Sequence, residues 1–194
     1  MLILASTSPR RIELISKLGI PFKTVHINVT EVSDFTSPES IVTDIALKKS
    51  LAVQEFGEDD IIVSADTLVW FHGKALGKPS GPEDAFKTLK TLSGHWHEVY
   101  TGVCLRTLEW TETFYEVTRV KFRKLSDEEI RYYISSGEPL DKAGSYGIQG
   151  LGAVLVEKID GEYTNVVGLP LPKLWERLMD RGVLQKYVFG KWTT

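Results

Sequence analysis

The first nineteen residues constrain the fold of this chain more than any other stretch. A short apolar run, Leu2 to Ala5, is followed at once by Ser6, Thr7, Ser8 and Pro9, and then by Ile12, Leu14, Ile15 and Leu18 before Gly19. The run suits a short strand, the serine and proline open a helix, and the glycine ends it. Strand, loop and helix in such quick succession set up an α/β layering if more strands follow.

More strands do follow. Phe22 to Ile27 alternates like a strand, and Ser37, Pro38 and Glu39 open a segment in which Ile41, Ile45, Ala46, Leu47, Leu51 and Val53 keep a helical period, with an end expected near Gly57. Ile61 to Phe71 is β-rich, and His72-Gly73 turns the chain back at Lys74. Ala85, Phe86, Leu89 and Leu92 predict a third helix that stops at Gly94. Trp96 to Thr107 and Phe114 to Phe122 then predict two long paired strands. Ser126 with Glu129 is a capping-box pattern for a helix ending at Gly137. The polar stretch Asp141 to Gly152 reads as a loop. Ala153 to Ile159, an Asp160-Gly161 turn and Tyr163 to Val167 predict a hairpin, and Pro170 precedes a closing helix carrying Leu174, Leu178 and Met179. Hairpins among βα steps argue for an α/β domain with a mixed sheet, whose site lies in the polar, glycine-rich loops at strand ends.

Length and charge narrow the classes of function. A chain of 194 residues makes one domain or two small lobes and buries roughly 70% of the surface that its unfolded form exposes. Twenty-three Lys and Arg against 26 Asp and Glu give a net charge of −3. No run of five like charges forms a basic stripe, so stable nucleic-acid binding is not expected. The single cysteine, Cys104, can form neither an internal disulfide nor a zinc cluster. The opening apolar run is too short for a secretion signal or a membrane span, so the expected location is the cytoplasm, with no membrane partner.

Several motifs carry chemistry. In LASTSPRR, Ser6, Arg10 and Arg11 sit at a strand-to-helix junction, where unpaired amides and the helix dipole favour an anion. Spacing alone leaves open the plainer reading, in which Ser8 caps the helix and the arginines are solvated. HGKALGKPS is not a P-loop: only three residues separate Gly73 from Gly77, and Pro79 stands where Ser or Thr would hold magnesium. Lys78 can still reach a phosphate, although from the residues alone a plain surface turn is the better reading. Asp66, within IIVSADTLVW, needs a metal, a cation or several N–H groups to offset burial among apolar residues, which marks it as functional. His95 and His97 lack a third metal ligand and read as structural. Cys104 lies in an apolar strand, and no serine has a nucleophile-elbow context, so covalent catalysis is disfavoured. DKAGSYGIQG combines three glycines with Gln149, which offers both a donor and an acceptor to a flat ligand.

Taken in order, LASTSPRR, Glu31, Ala46 to Lys49, SADT, LGKP, TGV, DKAGSYGIQG and NVVGLPL resemble the Maf family of septum-formation-type proteins, which are nucleoside triphosphate pyrophosphatases. The resemblance covers nearly the whole chain, 1–194. It implies a single Maf-like α/β domain similar to the inosine triphosphate pyrophosphatases, with an elongated mixed sheet flanked by helices and a substrate cleft between two lobes. One departure is Ser50, where the family's AxxKA pattern ends in Ala.

The resemblance implies that Ser6, Arg10, Arg11, Lys49 and Lys78 bind phosphates. It implies that Asp66 is the catalytic proton acceptor and that Glu31 and Asp66 serve a divalent cation, Mg²⁺ or Mn²⁺. Arg10, Thr67 and Gln149 match the branch resembling dTTP/UTP pyrophosphatases, and so imply a specificity set. The implied reaction is hydrolysis of dTTP or UTP to the monophosphate and pyrophosphate. A homodimer is left open. The alternative, from a different class, is a nucleotide-binding regulator of cell division that hydrolyses little.

Overall fold

Strand β1 (Leu2–Leu4) is fully buried and lies between two parallel neighbours, β2 (Phe22–Thr24) and β3 (Ile61–Phe71), with Leu2 opposite both Phe22 and Ile61. An uninterrupted apolar strand is what a parallel arrangement covered on both faces requires. Its chain runs directly into α1 (Pro9–Ser16), and β2 is followed by α2 (Pro38–Leu51). Strand β4 (Lys74–Leu76) returns antiparallel along the end of β3 through the predicted His72-Gly73 turn.

The sheet order is β2-β1-β3-β5-β6-β7, with β4 attached to β3, where β5 is Trp96–Arg106, β6 is Thr111–Phe122 and β7 is Val156–Asp160. Its parallel and antiparallel pairings make it the expected mixed sheet. The remaining helices are α3 (Pro82–Leu92), α4 (Asp127–Ser135), α5 (Tyr163–Val167), α6 (Leu171–Asp180) and α7 (Val183–Tyr187). The computed structural model describes residues 1–188. Among them, no helix is long and apolar enough to cross a membrane.

The chain divides into two units. Among the described residues, one comprises Met1–Asp66, Thr101–Glu116 and 168–188; the other comprises Thr67–Tyr100 and Val117–Val167. In the first unit, Ile3, Ala5, Val53 and Ile62 form a buried cluster on which Val25, Ile27 and Phe56 pack. In the second, His97, Phe122 and Tyr146 meet edge to face with ring centroids 4.7–5.4 Å apart.

Three expectations need correction. The hairpin over residues 153–167 does not form: β7 pairs with β6, and Tyr163 to Val167 is helix α5. Glu162 decides this, because its carboxylate accepts from the amides of Thr164 and Asn165, both at 2.6 Å, and so caps the helix start. Buried Asn165 donates through Nδ2 to the Val99 carbonyl and the Thr118 hydroxyl, holding the turn against β5 and β6. Helix α2 ends at Leu51 rather than near Gly57. The stretch expected as a loop contains short 3-10 turns at Glu138–Asp141, Ala143–Ser145 and Leu151–Leu155. The predicted capping box of α4 is present in both directions.

Candidate active site

Asp66 lies in β3, and residues two apart on a strand share a face. Ser64 and Asp66 accordingly both engage α2: the Ser64 hydroxyl donates to the Ala46 carbonyl at 2.6 Å, and Asp66 Oδ1 accepts from Lys49 Nζ at 2.7 Å. Helix and strands pack closely here because of Gly102 in β5, where a Cβ would overlap the backbone carbonyl of Val42 in α2. Behind Lys49, the Arg106 guanidinium donates to the Ser50 hydroxyl at 3.1 Å and to the carbonyls of Ser50 and Val53 at 2.6 and 2.5 Å. These bonds tie the end of α2 and the residues just after it to β5. They also give Ser50, the departure from the family pattern, a concrete partner.

Lys49 is the centre of the arrangement. Its side chain is only 9% exposed and also contacts Glu31 Oε1 at 2.6 Å, with Asp66 13% and Glu31 47% exposed. A buried ammonium is tolerable only with such partners, and the two carboxylates leave the trio with one net negative charge. Half-buried Arg11 is aimed by its Nε, which donates to the Gly168 carbonyl at 2.8 Å. Gly168 takes φ +124°, a conformation that side chains disfavour. Burial draws the Arg11 pKa below the usual arginine value. The charge of Asp66 opposes that fall, Arg10 adds to it, and Glu31 opposes it more weakly.

The N-terminus of α1 lies in the same unit. Ser6 is buried, and its hydroxyl accepts from the amide of Ser8 at 3.2 Å. Ser8 occupies the cap position but makes no side-chain capping bond, and no acid stands in the first turn. The reading in which Ser8 simply caps the helix therefore fails. The positive end of α1, beside Arg10 and Arg11, keeps its preference for an anion.

Thr67, Lys78 and Gln149 belong to the second unit. Thr67 is half-buried in β3. Lys78 is exposed and follows Gly77, whose carbonyl accepts from the Gly144 amide at 3.1 Å. Gln149 is exposed beside buried Ile148. Of the expected site residues, Glu31, Lys49 and Asp66 are brought into direct contact, with Ser6, Arg10 and Arg11 in the same unit. Sequence reasoning missed Arg106, Gly168 and Glu138, which touch these residues or the segments bearing them. The signals available were the place of Gly168 inside the NVVGLPL block and of Glu138 just before DKAGSYGIQG; Arg106 offered none.

The residues set aside are structural. His97 is buried, with Nε2 2.8 Å from the Tyr146 hydroxyl, and burial lowers its pKa to about 4. His95 is exposed. Cys104 is buried, which raises its thiol pKa, while Ser50, Arg106 and Ser64 act weakly the other way.

A family model described as Maf-like protein matches residues 1–181. The chain is 53% identical over 183 residues to the dTTP/UTP pyrophosphatase of Thermosipho melanesiensis, an alignment covering 94% of this chain and 99% of that one. It is 50% identical over 178 residues to the dTTP/UTP pyrophosphatase of Bacillus cereus, covering 91% and 93%. In three dimensions it is similar to the Staphylococcus aureus Ham1 protein, with a TM-score of 0.54 over 93% of this chain and 98% of that one. At 12% identity that likeness is one of fold, and it agrees with the expected α/β architecture.

Proposed function

The chain belongs to the Maf family, and we propose that it is a nucleoside triphosphate pyrophosphatase that converts dTTP and UTP to the monophosphate and pyrophosphate. The observation that carries this reading is Lys49, held by Asp66 and Glu31 at 2.7 and 2.6 Å in the same unit as the N-terminus of α1 with Arg10 and Arg11.

A triphosphate near neutral pH carries roughly four negative charges. Arg10, Arg11, Lys49 and Lys78 offset them, with Ser6 and the α1 amides adding neutral donors. Lys49 has three ammonium donors and two carboxylate partners, so one donor remains for a phosphate oxygen. Asp66 uses Oδ1 for Lys49 and offers Oδ2 to the attacking water, whose proton it accepts as oxygen bonds to the α-phosphorus and pyrophosphate departs. Arg11, its Nε fixed by Gly168, keeps the phosphate chain in line.

Among the described residues, no group of three or more His, Cys, Asp and Glu side chains is placed to hold a metal. Mg²⁺ or Mn²⁺ is expected to arrive with the substrate: Mg²⁺ is commonly bound through one or two carboxylates together with substrate phosphates and water. Glu31 and Asp66 supply hard oxygen donors of this kind. When bound, the ion neutralises charge on the phosphate oxygens and polarises the reacting phosphorus. Thr67, Gln149 and Arg10 select the base, because uracil and thymine share a carbonyl, N–H, carbonyl edge that a hydroxyl and a carboxamide can match. We place the reaction in the cytoplasm, where Cys104 stays reduced.

The test is product identity. Purified protein with UTP and Mg²⁺ or Mn²⁺ is expected to release UMP and pyrophosphate in equal amounts. UDP with orthophosphate, or tight binding without turnover, would overturn the reading.

A further inference from the structure

We propose that Glu138 is a specificity-determining positioning residue: its carboxylate fixes the backbone turn that presents Gln149 to the base. The inference rests on the reading of Gln149 as a base-recognising residue.

Glu138 stands eleven positions before Gln149, outside the glycine-rich stretch, at the start of a 3-10 turn. Its two oxygens gather three donors. Oε2 accepts from the Leu151 amide at 2.8 Å, and Oε1 accepts from the Gly152 amide at 3.2 Å and the Tyr133 hydroxyl at 2.9 Å. Tyr133 in turn accepts from the Gly147 amide at 3.0 Å. The turn Ile148-Gln149-Gly150 is therefore clamped at both ends by one carboxylate, directly on the far side and through Tyr133 on the near side.

Glycines at 147, 150 and 152 leave room for that carboxylate and its partner. A Cβ at Gly150 would overlap Glu138 Oε2, and one at Gly147 would come within 2.8 Å of Lys142 Cε and 3.2 Å of Glu138 Oε1. A Cβ at Gly152 would lie 2.7 Å from the Tyr133 hydroxyl. Lys142 steadies the clamp from behind by donating to the Glu138 carbonyl at 2.6 Å. Ile148 is buried, which anchors the middle of the turn, while Gln149 beside it faces outward.

An ionised carboxylate is an acceptor at every lone pair, which is what three converging donors need. A carboxamide is not: in Glu138→Gln, with the oxygen kept at the Oε1 position, the NH₂ group faces the Leu151 amide, donor against donor. The side-chain volume is nearly unchanged, so the defect falls on the turn that carries Gln149. A hydrogen bond to one base edge discriminates only while its partner is held in place.

The experiment measures kcat/KM for UTP and CTP in wild type, Gln149→Ala, Glu138→Gln, Tyr133→Phe and the Gln149→Ala/Glu138→Gln double variant. The UTP:CTP ratio is independent of the fraction of active enzyme, so loss of folded protein alone cannot move it. Glu138→Gln and Tyr133→Phe should each lower the ratio by about threefold to tenfold, the worth of one hydrogen bond. Adding Glu138→Gln to Gln149→Ala should lower it no further. If Gln149→Ala lowers the ratio but Glu138→Gln and Tyr133→Phe do not, the positioning role is wrong and the base-recognition reading survives. If Gln149→Ala itself leaves the ratio unchanged, both fail. Should Glu138→Gln not fold, Tyr133→Phe, which removes only the bridging hydroxyl, decides the matter alone.

Discussion

Asp66→Asn separates the chemical role of this residue from its structural one. The substitution keeps size and leaves a carbonyl oxygen where Oδ1 now meets Lys49 at 2.7 Å, so the contact is weakened rather than abolished. Lys49 also retains Glu31 at 2.6 Å, and the buried ammonium is not left without a counter-charge. A hydrogen bond between charged groups contributes about 1.5–3 kcal/mol. Losing the charge on one side while keeping the bond therefore costs ~1–2 kcal/mol, well short of the ~3–5 kcal/mol for breaking a buried pair outright. For a chain of this size, each kcal/mol lowers Tm by about 2–4 °C, so the variant should melt about 2–8 °C below wild type and remain folded at 25 °C. Turnover should respond on a different scale. Removing a positioned proton acceptor costs roughly 10²- to 10⁴-fold.

The assay pairs a circular-dichroism melt with steady-state pyrophosphate release from UTP. The reasoning requires a small shift in Tm together with a large loss of kcat. A folded variant with kcat within about threefold of wild type, far from the expected range, would reduce Asp66 to an ion-pair partner of Lys49. A Tm fall large enough to unfold the protein at the assay temperature would show that the pair stabilises far more than its geometry indicates.

Two further outcomes test the packing. Gly102→Ala should lower stability by about 1–3 kcal/mol, read from the urea midpoint, because the new methyl overlaps the Val42 carbonyl and must push α2 away from β5; an unchanged midpoint would mean that the two elements do not touch as described. His97 has a pKa of about 4 in the fold against an ordinary 6.5, so between those values the unfolded chain binds a proton that the folded chain does not. Stability should therefore fall as pH drops from 6.5 towards 4, by on the order of 3 kcal/mol at most, and His97→Phe should flatten that slope; equal slopes in the two proteins would refute the assignment.

How much of this was legible depended on how local the deciding contact was. The β1–α1 junction reads directly from residues 2–19 because an apolar run, a proline and a terminal glycine each act within one turn. Tyr163 to Val167 reads as a strand by composition yet forms a helix, because Glu162 caps it and Asn165 reaches Val99 and Thr118, 66 and 47 positions away. The site divides in the same way. An acid among the apolar residues of β3 announces that Asp66 needs a partner, but only the packing of α2 against β3 and β5 shows that the partner is Lys49. Ser50 departs from the family pattern, and only the fold shows that Arg106, 56 positions on, is its contact. Residues that touch a ligand must carry its complementary chemistry, and that chemistry is visible in their type. Residues that hold them, such as Glu138 and Gly168, act through backbone amides and carbonyls that every residue possesses. Their identity shows which groups they can accept or admit, and only the fold shows which groups come to them.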